Sequence, residues 1–364
     1  MALLLVNVCL ATVVAAELAS RAALLAIERW LPDPRVQADV YAGSGWAADY
    51  YREFRESGDV AWQPYVYWRR LPYAGRFINV DEHGVRRTWR APGAGGGPLV
   101  FVFGDSTVWG SGARDEYTLP SELAKAMAAA GVEARVVNLG ESGYVTAQSV
   151  ALLLSSLRRG EIPDLAVFYG GIEDVFSAYQ SGTPGLPTNE DNRRLEFNAT
   201  RPDGLPQVLR MLTTGLNGVA AFVRRRSERT AGAAPAWDAA SLAAAAVDDF
   251  CRTARSATGL GAEFGFPVRF YWQPVVFGKP LQTAYEEAEA GRYAGARPLF
   301  ESAYARMAAA EPCPAAPVTY LGDLFADTAA PLYVDALHLS EDGHRLVAAA
   351  IVPELLDALS APRK

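Results

Sequence analysis

From Leu99 onward the chain repeats one unit of construction, a short β-rich apolar run followed by a segment of helical length. LVFVF at 99–103 leads into a helical SELAKAMAAA from 121, and RVVNL at 135–139 leads into VTAQSVALLLSSLRR from 145; LAVFY follows at 165–169. Apolar runs of five residues without polar alternation are buried on both faces, which predicts a parallel sheet covered by helices on each side. The rhythm lapses between Phe176 and Asp238, where TPGLPTNEDNRR and TAGAAPAW read as loops around one helical stretch, VLRMLTTGLNGVAAFVRRR. It resumes with a helix from about Ala239 to Thr258, VRFYWQ at 268–273, one long Ala/Glu-rich helix over 282–310, VTYLG at 318–322 and a closing helix from Glu341 to Leu359. An interruption of that length inside an α/β domain is expected to be a lid or binding insertion, here residues 176–238.

Upstream of the sheet, residues 32–90 are rich in aromatics and broken by prolines. FINVDEHGVRRTW at 77–89 reads as a hairpin turning near Asp81-Glu82-His83-Gly84, and APGAGGGP at 91–98 as a flexible hinge. The chain therefore divides into an apolar segment over 1–31, a small β-rich aromatic module with its hinge over 32–97, and an α/β domain over 98–360.

The first segment contains ALLLVNVCLATVVAA, uncharged from Ala2 to Ala16, and an apolar pattern that continues to Ile27 past Glu17 and Arg21. A helix from Ala2 to Ile27 is about 39 Å long, enough to cross a bilayer core of about 30 Å. Glu17 and Arg21 are four apart and share a helix face. The expectation is a membrane anchor. A cleaved signal peptide would need a basic start and a small-x-small site that Val14-Ala15-Ala16 does not offer well, and the soluble alternative is an apolar helix docked on the protein's own core. Arg21, Arg29 and Arg35 all follow the segment, so the loop-charge rule by itself would leave the following domain in the cytoplasm.

Composition excludes other classes. Half of the residues are hydrophobic and 21% charged, and 34 basic against 41 acidic residues give a net charge of −7, which does not favour nucleic acid. Cys9, Cys251 and Cys313 are too few and too scattered for a zinc site or a disulfide scaffold. In an oxidising compartment Cys251 and Cys313 could pair; two unrelated buried thiols are the alternative.

Chemistry concentrates at two places. The first strand ends in Phe103-Gly104-Asp105-Ser106, and a serine at the carboxyl end of a parallel strand stands where open α/β sheets bind ligands. Gly104 would permit a tight turn there, and Ser106 becomes a candidate nucleophile. Of three histidines, His83 lies in the hairpin and His344 inside the last helix, whereas His338 follows Asp335 by three residues just ahead of that helix. The carboxylate can then hold the imidazole in the tautomer that leaves its other nitrogen free to take the serine proton.

With these residues in place, the sequence resembles the SGNH/GDSL hydrolases over roughly residues 98–355, as a bacterial, N-terminally anchored member. FGDS carries the nucleophile, and NLGESG at 138–143 matches the second block, whose glycine N–H lines the oxyanion hole; the match points to Gly143, with Gly140 as the alternative. DALH at 335–338 supplies Asp335 and His338. The third block departs from the pattern: Gly171-Ile172-Glu173-Asp174 stands where the family has Gly-x-Asn-Asp, so Glu173 replaces the asparagine that donates to the oxyanion. Loss of one such donor costs about 2.7–4 kcal/mol of transition-state stabilisation. Glu173 is either protonated by burial and donating, or turned away, or a mark of lost activity.

The resemblance implies a flavodoxin-like three-layer α/β/α sandwich, no metal and no organic cofactor. It implies a serine ester hydrolase removing acyl groups, acetyl foremost, from an envelope glycan or lipid-linked substrate, with an acylated glycan or lipid-like molecule and the membrane as its partners. An O-acetyltransferase on the same scaffold and a degenerate binding or assembly component of a polysaccharide system are the alternatives. The family reading favours a periplasmic or extracellular catalytic domain, against the flanking arginines.

Overall fold

A computed structural model of the chain describes residues 11–23, 32–91, 96–199, 237–309 and 311–361. Residues 34–188 and 237–364 cluster as one compact unit, and residues 1–33 and 189–236 as a second.

The larger unit is built on five parallel strands: β5 (Leu99–Gly104), β6 (Arg135–Asn138), β7 (Leu165–Gly170), β8 (Val268–Trp272) and β9 (Val318–Tyr320). Their order is β6-β5-β7-β8-β9, the 2-1-3-4-5 arrangement of flavodoxin-like sheets, so the strand order reverses between β5 and β7. The uninterrupted apolar runs serve both faces. Phe103, Phe168 and Phe270 are register partners across β5, β7 and β8 and stack with ring centroids 4.8 and 4.4 Å apart. Each such burial is worth about 1.5–3 kcal/mol.

Helix α3 (Leu119–Ala129) packs with α10 (Glu341–Ser360) in one layer; α4 (Thr146–Arg158), α5 (Ile172–Ser181), α7 (Ala239–Phe264) and α9 (Arg297–Met307) form the other. The single helix expected over 282–310 is in fact two, α8 (Ala284–Arg292) and α9. Gly291 and Gly295 weaken the helix there, and Pro298 in the first turn of α9 restarts it, because proline lacks the N–H that an interior position must donate. The irregular stretch expected from Phe176 begins as helix, since α5 runs to Ser181. Residues 189–236 of the insertion belong to the second unit, in which α6 (Glu190–Ala199) is described; the helix expected at VLRMLTTGLNGVAAFVRRR lies outside the described residues.

Residues 34–91 do not form a module of their own. Helix α1 (Ala47–Glu56) and the hairpin β1 (Val60–Gln63) with β2 (Tyr67–Arg70) pack into the larger unit. Val66 and Trp68 join the sheet's core, while Tyr41, Tyr50 and Tyr51 share a second core with Trp109 and Val334. The turn expected at 81–84 is present, with Gly84 N donating to Asp81 O at 3.0 Å between β4 (Asn79–Val80, paired with β3, Tyr73–Ala74) and Arg86. Arg86 in turn bridges to Asn138, which covers the open edge of β6.

In the second unit a helix covers residues 11–23, and Arg21 Nε donates to Glu17 Oε1 at 2.7 Å, the four-residue pairing read from the sequence. Among the described residues no helix is long and apolar enough to cross a membrane; the rest of the anchor expected over 1–31 lies outside them. Cys251 on α7 and Cys313 before β9 are joined by a disulfide, Cα atoms 5.0 Å apart.

Candidate active site

Ser106 stands at the carboxyl end of β5, on the one-turn helix α2 (Ser106–Trp109). Asp105 caps that helix: its Oδ1 accepts from Thr107 N at 2.8 Å and its Oδ2 from Gln273 Nε2 at 3.0 Å. Gly104 has no left-handed backbone. A Cβ there would lie 2.1 Å from Tyr169 O, so glycine is required for the close approach of β5 to β7 rather than for a turn. The nucleophile candidate is thereby seated at the strand-order reversal, where such sheets bind ligands.

Ser106 Oγ is 2.7 Å from His338 Nε2, and His338 Nδ1 is 2.8 Å from both carboxylate oxygens of Asp335. Asp335 Oδ1 also accepts from Leu337 N at 3.0 Å and His338 N at 2.9 Å. Burial alone would raise the Asp335 pKa; His338, Arg35 and these N–H donors outweigh it and hold the carboxyl well below the usual carboxylate range. The other two histidines are elsewhere. His83 is exposed beside Glu82, and His344 is buried with Nδ1 3.1 Å from Tyr117 O and pushed down to about 4, chiefly by burial.

The loop that carries Gly143 is tied down from the hairpin 60–70. Glu141 is fully buried; its Oε2 accepts from Arg70 N at 3.0 Å, and Arg70 Nε lies 3.4 Å from its Oε1. Trp68 Nε1 donates to Ser142 O at 3.0 Å, and Arg70 Nη2 to Ser142 Oγ at 2.8 Å. Gly143 adopts φ +77°, a conformation that glycine enters without steric cost. Its N–H donates to no acceptor among the described residues, whereas the Gly140 N–H is already given to Asn138 Oδ1 at 3.1 Å. Replacing Glu141 by Ala is expected to destabilise the fold by about 3–5 kcal/mol, because the buried Arg70 guanidinium would lose its counter-charge. Urea unfolding of both proteins measures this, and an unchanged midpoint would refute it.

After β7, Gly171 carries φ +105° with the Trp272 ring against its Cβ position. Asp174 anchors the third block, accepting from Thr146 N at 3.1 Å and Thr146 Oγ1 at 2.7 Å. Glu173 is half-buried with its Oε2 shielded from solvent and without a hydrogen-bond partner. Desolvation first, then the nearby Asp105 and Asp174, push its carboxyl up to about 8. Among the described residues no cluster of histidine, cysteine and acidic side chains has the arrangement of a metal site.

Sequence reading brought Ser106, Asp335 and His338 to one place and missed three contributors. Gln273 directly follows β8 at the same sheet edge, a position that could have been read from strand order. Arg35 and Glu141 act through contacts that no local pattern announces.

A serine, histidine and aspartate converging at the carboxyl edge of a flavodoxin-like sheet define a serine-hydrolase type of site. Residues 100–351 match the family model described as GDSL-like Lipase/Acylhydrolase. The chain belongs to that family, and with it to enzymes that hydrolyse acyl esters. No curated protein matches it in sequence. Among solved structures it is similar to an acetyl xylan esterase (13% identity over 71% of this chain and 99% of that one, TM-score 0.39). It is similar also to an acetylxylan esterase from Geobacillus stearothermophilus (16%, 74% and 97%, TM-score 0.36) and to the lipase/acylhydrolase from Enterococcus faecalis (18%, 73% and 100%, TM-score 0.39).

Proposed function

We propose that the protein is a serine ester hydrolase that removes acyl groups, acetyl foremost, from a glycan or lipid-linked substrate of the cell envelope. The observation that carries this is the continuous hydrogen-bonded line from Ser106 Oγ through the His338 ring to Asp335. Ser106 Oγ attacks the acyl carbonyl carbon as His338 Nε2 takes its proton. The tetrahedral oxyanion is held by the N–H groups of Ser106, first in its helix and without an intrahelical acceptor, and of Gly143. His338 returns the proton to the departing alcohol oxygen. Water, deprotonated by His338, then attacks the acyl-serine; the acyl–Oγ bond breaks as His338 returns the proton to Ser106 Oγ, and the carboxylic acid leaves.

Glu173 takes the asparagine's part as a neutral acid. Its unpartnered, desolvated Oε2 supports this, because an ionised carboxylate there would be an unpaired buried charge. With its carboxyl pushed up to about 8, the group is protonated below that pH and able to donate, and becomes an opposing charge above it. The kcat/KM profile should therefore fall on the alkaline side near pH 8, by up to about 10²–10³-fold. Glu173→Gln, which keeps a donor and cannot ionise, should lose that limb; an identical fall in both proteins refutes the role.

Location outside the cytoplasm and anchoring through residues 1–31 belong to the same proposal, supported by the uncharged run Ala2–Ala16 and by the Cys251–Cys313 bond, since disulfides persist in oxidising compartments. Incubation with an acetylated polysaccharide, followed by mass spectrometry of the glycan and assay of free acetate, tests the substrate class. Acetate released in step with deacetylation is expected. Acetyl appearing on an acceptor sugar instead identifies a transferase, and no change in any acetylated glycan removes the glycan reading.

A further inference from the structure

Arg35 lies far ahead of the family-matched region, yet it reaches the candidate triad. It stands in the helical turn Pro34–Gln37 and lays its guanidinium over the Tyr51 ring at 4.7 Å and the Phe54 ring at 4.8 Å, both on α1. Its Nη1 comes to 3.6 Å from Asp335 Oδ2. The same oxygen is 2.8 Å from His338 Nδ1, so one carboxylate stands between a guanidinium and an imidazole. The platform under Arg35 is rigid. Tyr51 is fully buried, its hydroxyl is 3.1 Å from that of Tyr41, and Tyr41 donates to Gly112 O at 2.5 Å, just beyond the helix of Ser106. Tyr41, Tyr51 and Val334, the neighbour of Asp335, share one core.

We propose that Arg35 is a positioning residue of the hydrolytic site: it fixes the Asp335 carboxylate and opposes, as a permanent cation, the second positive charge that arises on His338 during attack. The kinetic consequence rests on the hydrolase reading; the electrostatic one does not. Arginine stays charged at any working pH, and the coupling falls only as the inverse of distance, so a cation across one carboxylate from the ring is felt. The other groups facing Asp335 do not reproduce this field. Tyr51, Tyr285 and Tyr293 are held neutral by burial, which pushes each hydroxyl up, and Glu289 is paired with Arg292 at 3.0 Å. His338 is coupled also to Asp105, whose carboxyl burial pushes up, and to His344, which burial pushes down to about 4.

The test compares the full chain with Arg35→Gln, Arg35→Lys and Arg35→Met, the last retaining the apolar stem against Tyr51 and Phe54 should the glutamine variant fail to fold. Two quantities are read against pH: kcat/KM for p-nitrophenyl acetate, and the downfield proton resonance of the His338–Asp335 hydrogen bond. In the uncharged variants the acid limb of the rate profile, and the pH to which the resonance persists, should both move up by about one pH unit. Arg35→Lys should return both toward the parent. A resonance that does not move in the uncharged variants overturns the role of Arg35 whatever the activity. A resonance that moves in a protein that cleaves no ester upholds that role and rejects the hydrolase reading.

Discussion

Replacing Ser106 by alanine is expected to lower kcat for p-nitrophenyl acetate by on the order of 10⁶-fold, the size of effect found when a triad serine is removed. The fold should survive the change. The cap of α2 is the Asp105 side chain, not Ser106, and among the described residues the Ser106 hydroxyl has one side-chain hydrogen-bond partner, His338. Loss of activity with an unchanged unfolding midpoint would therefore report on chemistry alone. If the backbone N–H groups of residues 106 and 143 bind the oxyanion as proposed, a residual rate above that of water is also expected. An alanine variant as active as the parent would remove Ser106 from the mechanism.

Replacing Asp335 by asparagine is expected to cost about 10⁴-fold. The asparagine oxygen can still accept from Leu337 N and His338 N, so the loop should keep its shape. What changes is the ring. With an amide in place of one carboxylate oxygen, Nδ1 is offered a donor as well as an acceptor, and the tautomer with its proton on Nε2 becomes available. In that tautomer Nε2, 2.7 Å from Ser106 Oγ, cannot take the serine proton. The deficit should appear in kcat more than in KM, since Asp335 makes its contribution to the charge that forms in the transition state. A variant within tenfold of the parent would show that Asp335 does not orient the base.

The sheet was legible because burial on both faces forces uninterrupted apolar runs, and LVFVF, LAVFY and VRFYWQ are such runs. Right-handed crossovers narrow the possible topologies, but the flavodoxin-like strand order is implied by the family resemblance and not by these runs. Ser106 and His338 were legible for a related reason: functional side chains in these folds follow the carboxyl ends of strands or precede a helix, where local spacing betrays them. The break between α8 and α9 was missed because alanine and glutamate dominate helix propensity over 282–310, while Gly291, Gly295 and Pro298 decide the path.

The sequence sets residues 32–97 apart as a module, whereas residues 34–91 cluster with the sheet. Their aromatic residues and prolines suggest a module apart, but three of their arginines, Arg69, Arg70 and Arg86, are buried. Arg70 and Arg86 lie over the Trp109 ring at 3.8 and 4.3 Å, Arg86 pairs with Asp115 at 2.9 Å, and Arg70 faces Glu141. Charge in a sequence reads as solvent-exposed; only the fold shows which charges have found partners, here 71 residues away for Arg70 and 29 for Arg86. The same holds for Arg35 and Asp335, which stand at opposite ends of the chain and meet only because α1 packs behind the helix of Ser106.

Activation of Ser106 is the central claim, and it can be measured without knowing the natural substrate. A fluorophosphonate reacts with a serine hydroxyl only where a neighbouring base has made it nucleophilic. Incubation of the full chain with such a probe, followed by peptide mapping, should place one label on Ser106, absent from Ser106→Ala and strongly slowed in Asp335→Asn. A protein that takes up no label, or takes it elsewhere while Ser106 stays free, would contradict the claim.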